Sequence, residues 1–157
     1  SQPAAAKCLI QVKSTYKNNG SFQIKLSAML HLVKAQMPSF VCFFIYSKSK
    51  EIKEIYLVHI DKEIISNVLQ SVRKNEKQNK KPHKVKITIH YNDQDKLENI
   101  QGQFLKKTIS DHVHNGMYEY IKQKNLILNS VGFDESPLSA TITFKGITHN
   151  DLIDMSL

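Results

Sequence analysis

The sequence is poor in the features that most directly announce a function. Its longest wholly apolar run, Phe40 to Tyr46, falls far short of the roughly 20 residues a helix needs to cross a bilayer. There are 2 cysteines in 157 residues, too few for a disulfide framework. Both Cys8 and Cys42 sit in apolar, strand-like runs, where a thiol behaves as a small hydrophobe. No Walker A loop, Gly-x-Gly-x-x-Gly fingerprint or nucleophile elbow occurs. The 7 histidines are not gathered at zinc-ligand spacing, and His112 and His114, two apart on a helix, would point to different sides. These gaps argue against a membrane-spanning helix, a disulfide scaffold, the common nucleotide-binding loops and a structural zinc module. Ser1 to Ala6 also lack the charged and apolar regions of a secretory signal. They read as a cut end with upstream residues removed, and the expected location is cytoplasmic, with both thiols reduced.

What is present suits one ordinary core: 41% of residues are hydrophobic and 23% charged. The balance of 22 Lys+Arg against 14 Asp+Glu gives a formal charge of +8, which favours a polyanionic partner. The densest basic stretch holds Lys74, Lys77, Lys80, Lys81, Lys84 and Lys86, with Arg73 and His83. It is a candidate phosphate-contacting arm, or else simply a solvated loop. Lysine is a point charge without a base-reading fork, so such an arm would add affinity without sequence choice.

Periodicity sets out the elements. Cys8 to Ser14 alternates as a strand, Asn18-Asn19-Gly20 tolerates positive φ, and Phe22 to Leu26 alternates again, which predicts a β-hairpin. Ser27 is a candidate cap for a helix carrying Met29, Leu32 and Val33, with Pro38 as its stop. Phe40 to Tyr46, apolar throughout, reads as a central strand covered on both faces. After a polar turn, Ser47 to Lys53, Ile55 to Ile60 is a further strand. Asp61 then caps a helix with Ile64, Ile65, Val68, Leu69 and Val72 on one stripe, ending in a basic loop from Lys74 to Lys84. Val85 to Tyr91 alternates as a strand, broken by Asn92-Asp93-Gln94-Asp95. Leu105, Ile109, Val113, Met117, Tyr120 and Ile121 keep helical spacing, with Asn115-Gly116 placed to kink or divide the helix. Tyr118 and Tyr120 are candidates for stacking on bases, although Tyr120 falls in the apolar stripe. Gly132 is a helix stop, Ala140 to Lys145 a last strand, and Asn150 or Asp151 a further cap.

Chemistry concentrates at Leu9-Ile10-Gln11-Val12-Lys13-Ser14. Residues i and i+2 of a strand share a face, so Gln11 and Lys13 project side by side. With the hairpin, helix and buried strand that follow, this segment resembles the PD-(D/E)xK nuclease superfamily. It is most similar to the branch with Gln-x-Lys, which includes Mrr-like restriction enzymes and uncharacterised bacterial domains attached to defence proteins. The resemblance covers Cys8 to about Val72. It implies that Gln11 is the metal-site amide and that Lys13 is the catalytic lysine that positions or polarises the attacking water; Ser14, which follows the lysine in close relatives without a settled role, is a candidate nucleic-acid contact.

The family holds Mg²⁺ or Mn²⁺ with an upstream Asp as well, but none of Ser1 to Ile10 is acidic. The resemblance thus implies an α/β restriction-endonuclease-like mixed sheet with helices on both faces, N-terminally truncated. The expected domains are an incomplete core over 1–96 and an extension over 97–157. The expected function is metal-dependent DNA hydrolysis in a bacterial defence protein, with this piece alone unable to cut. The alternative is a non-catalytic module that binds nucleic acid or docks a partner. DNA is the expected partner, a membrane is not, and a homodimer or a fusion to further domains would complete the assembly.

Overall fold

The structure is a computed structural model that describes residues 7–130. The expected stop at Gly132, the strand from Ala140 and the caps at Asn150 and Asp151 lie outside the described residues. The chain runs β1 (Leu9–Thr15), β2 (Ser21–Lys25), α1 (Leu26–Lys34), β3 (Ser39–Tyr46), β4 (Ile52–His59), α2 (Lys62–Lys77), β5 (Lys86–His90), α3 (Gly102–His112) and α4 (Met117–Ser130), with 3₁₀ turns at Pro82–Lys84 and Asp93–Asp95. None of the described helices is long and apolar enough to cross a membrane.

β3 lies in the middle of a mixed sheet because both its faces are apolar, and every residue from Ser39 to Phe43 is buried. β1 runs parallel to it, with Leu9 opposite Ser39 and Thr15 opposite Ile45. β4 runs antiparallel on its other side, with Phe40 opposite His59. A parallel neighbour requires a crossover, which the chain makes through β2 and α1. Val41, Phe43, Tyr56 and Val58 on one face pack with Met29, Leu32, Ile65 and Val68 of α1 and α2. Phe40, Cys42, Ile55 and Leu57 on the other face pack with Leu97, Leu105 and Ile109. Helices therefore cover both faces, as the apolar β3 demands.

The expected hairpin is not formed. β2 pairs antiparallel with β5, with Ser21 opposite His90 and Lys25 opposite Lys86, in a separate two-stranded sheet. The chain between β1 and β2 is too long for a tight two-residue turn. It is also pinned elsewhere, since the Asn18 amide donates to Glu54 Oε2 at 2.7 Å and to the Tyr56 hydroxyl at 3.1 Å, both on β4. Gly20, at φ +78°, then turns the chain into the second sheet, where its carbonyl accepts from Tyr91 N–H.

Other boundaries shift by small amounts for local reasons. α1 starts at Leu26 without a side-chain cap, and the Leu26 N–H donates instead to Val85 O at 2.8 Å. It ends at Lys34, ahead of Pro38. Asp61 caps α2 as expected, its carboxylate accepting from Ile64 N–H at 3.0 Å. α2 continues through the expected loop to Lys77. Gly116, at φ +91°, divides α3 from α4.

One buried cation joins α4 to the rest. The Lys124 ammonium donates to Leu32 O at 3.0 Å, Met37 O at 2.8 Å and Ser39 Oγ at 3.1 Å. Leu32 O is one of the last carbonyls of α1, so a side chain from α4 caps that helix and the turn into β3. Burial pulls the ammonium down to about 8, which leaves it mainly charged at neutral pH. Lys124→Ala, which removes both the apolar stem and the donor, is expected to cost about 3 kcal/mol. Lys124→Met should recover only the stem's share. Urea unfolding of both variants measures the difference, and a Met variant as stable as wild type would show that the ammonium contributes nothing.

Candidate functional site

β1 forms one edge of the three-stranded sheet, so its side chains are more accessible than those of β3. Gln11 lies opposite Val41 and Lys13 opposite Phe43, on the face that carries α1 and α2, and both are half-buried. Val12, at 50% exposure, and Ser14 belong to the opposite face. The strand therefore brings Gln11 and Lys13 together and separates Ser14 from them. Across the sheet, the Lys13 row continues through Phe43 to Tyr56. Tyr91 stacks on Phe43 at 4.8 Å and lies 4.6 Å from Tyr56, giving this row an aromatic lining.

The next row on the same face runs from Thr15 through Ile45 to Glu54, the carboxylate that shares the face with Gln11 and Lys13. Its Oε2 accepts from Asn18 and from the Tyr56 hydroxyl at 3.0 Å, and its Oε1 accepts from Lys96 Nζ at 3.3 Å. Desolvation alone would raise the Glu54 pKa, but hydrogen bonds from Tyr56 and Lys96 and the charges of Lys96 and Lys53 outweigh it and hold the group ionised. Glu54 is thus committed to closing the loop after β1. Among the described residues no three His, Cys, Asp or Glu side chains are grouped so as to hold a metal ion.

The basic stretch is not a single loop. Lys74 and Lys77 belong to the end of α2, because helical hydrogen bonding persists there and Asn75 Nδ2 donates back to Ser71 O at 2.7 Å. Lys80 follows Asn79, which has φ 56°, while Lys81 precedes the 3₁₀ turn that Lys84 ends. All five are exposed, and Lys74 and Lys80 line a common cavity.

A second polar group escaped the sequence analysis. His59, at the end of β4, stacks on His112 of α3 with ring centroids 4.3 Å apart, and both rings flank Phe40. The Tyr120 hydroxyl of α4 hydrogen-bonds His59 Nε2. Burial pulls the His59 pKa down to about 4; His112 and Lys124 act in the same sense, and Asp61 opposes them. Burial also lowers His112, against Asp111, and burial with the Asp61 charge raises Tyr120. The stacked, hydrogen-bonded group joins β4, α3 and α4 as a clamp. The available signal was Lys124, a charge four residues beyond Tyr120 on the apolar stripe of α4. Tyr120 is accordingly engaged in packing, whereas Tyr118 is 52% exposed.

Compared with models of known protein families, with curated proteins and with solved structures, the chain matches none.

The His59 clamp makes stability depend on pH in a defined window. The folded-state pKa, about 4, lies below the unfolded value of 6.5, so the unfolded chain takes up the proton first as pH falls. The His59 contribution is expected to be level above pH 6.5 and to be lost between 6.5 and about 4, amounting to at most about 3 kcal/mol, with His112 adding in the same direction. Denaturant titrations across this range should show the slope, and His59→Phe, which keeps a ring but not the titration, should reduce it. An identical slope in that variant would assign the effect to other groups.

Proposed function

We propose that the chain is a DNA-engaging nuclease-type domain of the PD-(D/E)xK class, Gln-x-Lys branch, whose β1 carries the strand-borne half of the site. The observation that supports this most directly is the pairing of Gln11 and Lys13, half-buried and side by side, on an edge strand joined by a crossover to a fully apolar parallel neighbour. The outer edge of β1 is unpaired among the described residues, which leaves room beside Gln11 for another strand. The formal charge of +8 suits a phosphodiester partner.

The chemistry of this half-site follows from its donors. The Lys13 ammonium can hold a phosphate oxygen or an attacking water and offset negative charge as it develops. The Gln11 amide can accept from that water or donate to the phosphate. Gln11 offers one neutral oxygen and Lys13 a positive charge, which do not by themselves fit Mg²⁺ or Mn²⁺, since hard cations are held largely by carboxylates. Glu54 is engaged by Asn18, Tyr56 and Lys96. Cleavage therefore requires carboxylates beside Gln11 that neither this pair nor Glu54 supplies. The engagement of Glu54 also favours a second reading, a module that keeps the architecture and binds DNA without cutting it.

Plasmid nicking by the full-length protein with Mg²⁺ or Mn²⁺ separates the two readings. Lys13→Ala is expected to reduce cleavage by at least about 100-fold with an unchanged melting temperature, as expected for a group acting in the transition state. Equal cleavage by wild type and variant would overturn the catalytic assignment. Salt-sensitive DNA retention without cleavage by either would establish the binding module.

A further inference from the structure

The end of α2, the start of α1 and the edge of β5 enclose a cavity of about 440 Å³. Its lining combines the apolar Leu26, Val85 and Ile87 with polar side chains and the lysines Lys74, Lys80 and Lys86. The volume lies within the roughly 300–1,000 Å³ of ligand clefts. No acidic residue lines it, and none of the three lysines forms an ion pair among the described residues.

Three like charges around one cleft repel one another, and an anion placed among them converts that repulsion into attraction. The negative end of the α2 dipole accounts for Lys74 and for Lys80, which is folded onto that helix end, but its influence fades beyond the last turn. Lys86 belongs to a different element, on β5. Lys80 is brought back by fixed backbone geometry: Asn79 adopts φ 56°, and the Lys80 N–H donates to Asn75 O at 2.8 Å. The loop is thereby folded over the helix end instead of trailing into solvent.

We propose that this cavity is a phosphate-binding site in which the Lys74, Lys80 and Lys86 ammonium groups hold the oxygens of a phosphomonoester or phosphodiester. Ammonium groups suit this ligand, because they donate charge-assisted hydrogen bonds without imposing a planar geometry. The site shares no residue with the Gln11 and Lys13 pair and does not rest on the nuclease reading.

The test compares two triple variants of equal charge change, Lys74→Gln/Lys80→Gln/Lys86→Gln at the cavity and Lys106→Gln/Lys107→Gln/Lys122→Gln on α3 and α4. Calorimetry measures inorganic pyrophosphate binding, and fluorescence anisotropy measures binding of a labelled DNA duplex across a salt series. The cavity triple is expected to weaken pyrophosphate binding at least about tenfold at low salt, and the control triple less than about threefold. If duplex binding falls in parallel, with its log–log salt slope reduced by about 0.9 per lost contact, the phosphate belongs to nucleic acid. If duplex binding is unchanged, the ligand is a small phosphorylated molecule. Equal losses in the two triples, or no pyrophosphate binding by wild type, would overturn the proposal. Lys80→Gln alone, outside any helix or strand, guards against a folding defect and should itself weaken pyrophosphate binding. Lys13→Ala should leave that binding intact, so failure of one proposal is distinguishable from failure of the other.

Discussion

Everything in the architecture follows from the need to bury β3 on both faces. Phe40, Val41, Cys42 and Phe43 are each 1% exposed or less, so water must be excluded from both sides of one strand. Fully burying a large apolar side chain stabilises by roughly 1.5–3 kcal/mol, so neither face can be left open cheaply. One face is closed by α1 and α2, the other by Leu97 and the apolar stripe of α3. The strand's two edges are closed by β1 and β4. The position of Gln11 and Lys13 is a by-product of this arrangement: β1 is held against β3 by register, and its outer edge is unpaired among the described residues.

Polar side chains are admitted where the apolar run of β3 ends, and each end is closed differently. Towards the end of β1, Glu54 gathers Asn18, Tyr56 and Lys96, so the carboxylate is satisfied by three donors close to solvent. Towards the start of β3, Lys124 faces three neutral oxygens, and His59 is stacked and hydrogen-bonded in its neutral form. The second end is the more costly, because a buried cation without a carboxylate must be compensated by geometry alone. That cost is consistent with a role in orientation: the Lys124 contacts fix the end of α1, the turn after it and the start of β3 relative to α4.

Much of this was legible because its causes are local. Seven successive apolar residues mark β3, Asp61 before a stripe marks α2, and a glycine within helical spacing marks the break at Gly116. The common face of Gln11 and Lys13 follows from the period of a strand. What escaped was decided at long range. The Asn18-Asn19-Gly20 signal is a real turn signal, but the Asn18 contact with Glu54 spans 36 positions and sends β2 to β5. His59 and Tyr120 are 61 positions apart, and Lys124 and Leu32 are 92 apart. The basic stretch was read as one loop because its composition is uniform, whereas the fold divides it between a helix end, a left-handed turn and a 3₁₀ turn.

The charge on β1 determines the order in which function can arise. A carboxylate at position 11 would make the Lys13 face nearly neutral and able to attract a cation. With glutamine there, the pair carries the net positive charge of Lys13 alone, and the acid across the sheet is already compensated by Lys96. A face of that sign in a chain of charge +8 attracts phosphate before it attracts a divalent metal. On the proposed reading, binding to a phosphodiester is the part of the function that these two residues would supply by themselves. Hydrolysis, on the same reading, is conditional on carboxylates brought alongside Gln11, and the edge of β1 that is unpaired among the described residues is the position from which they would reach it.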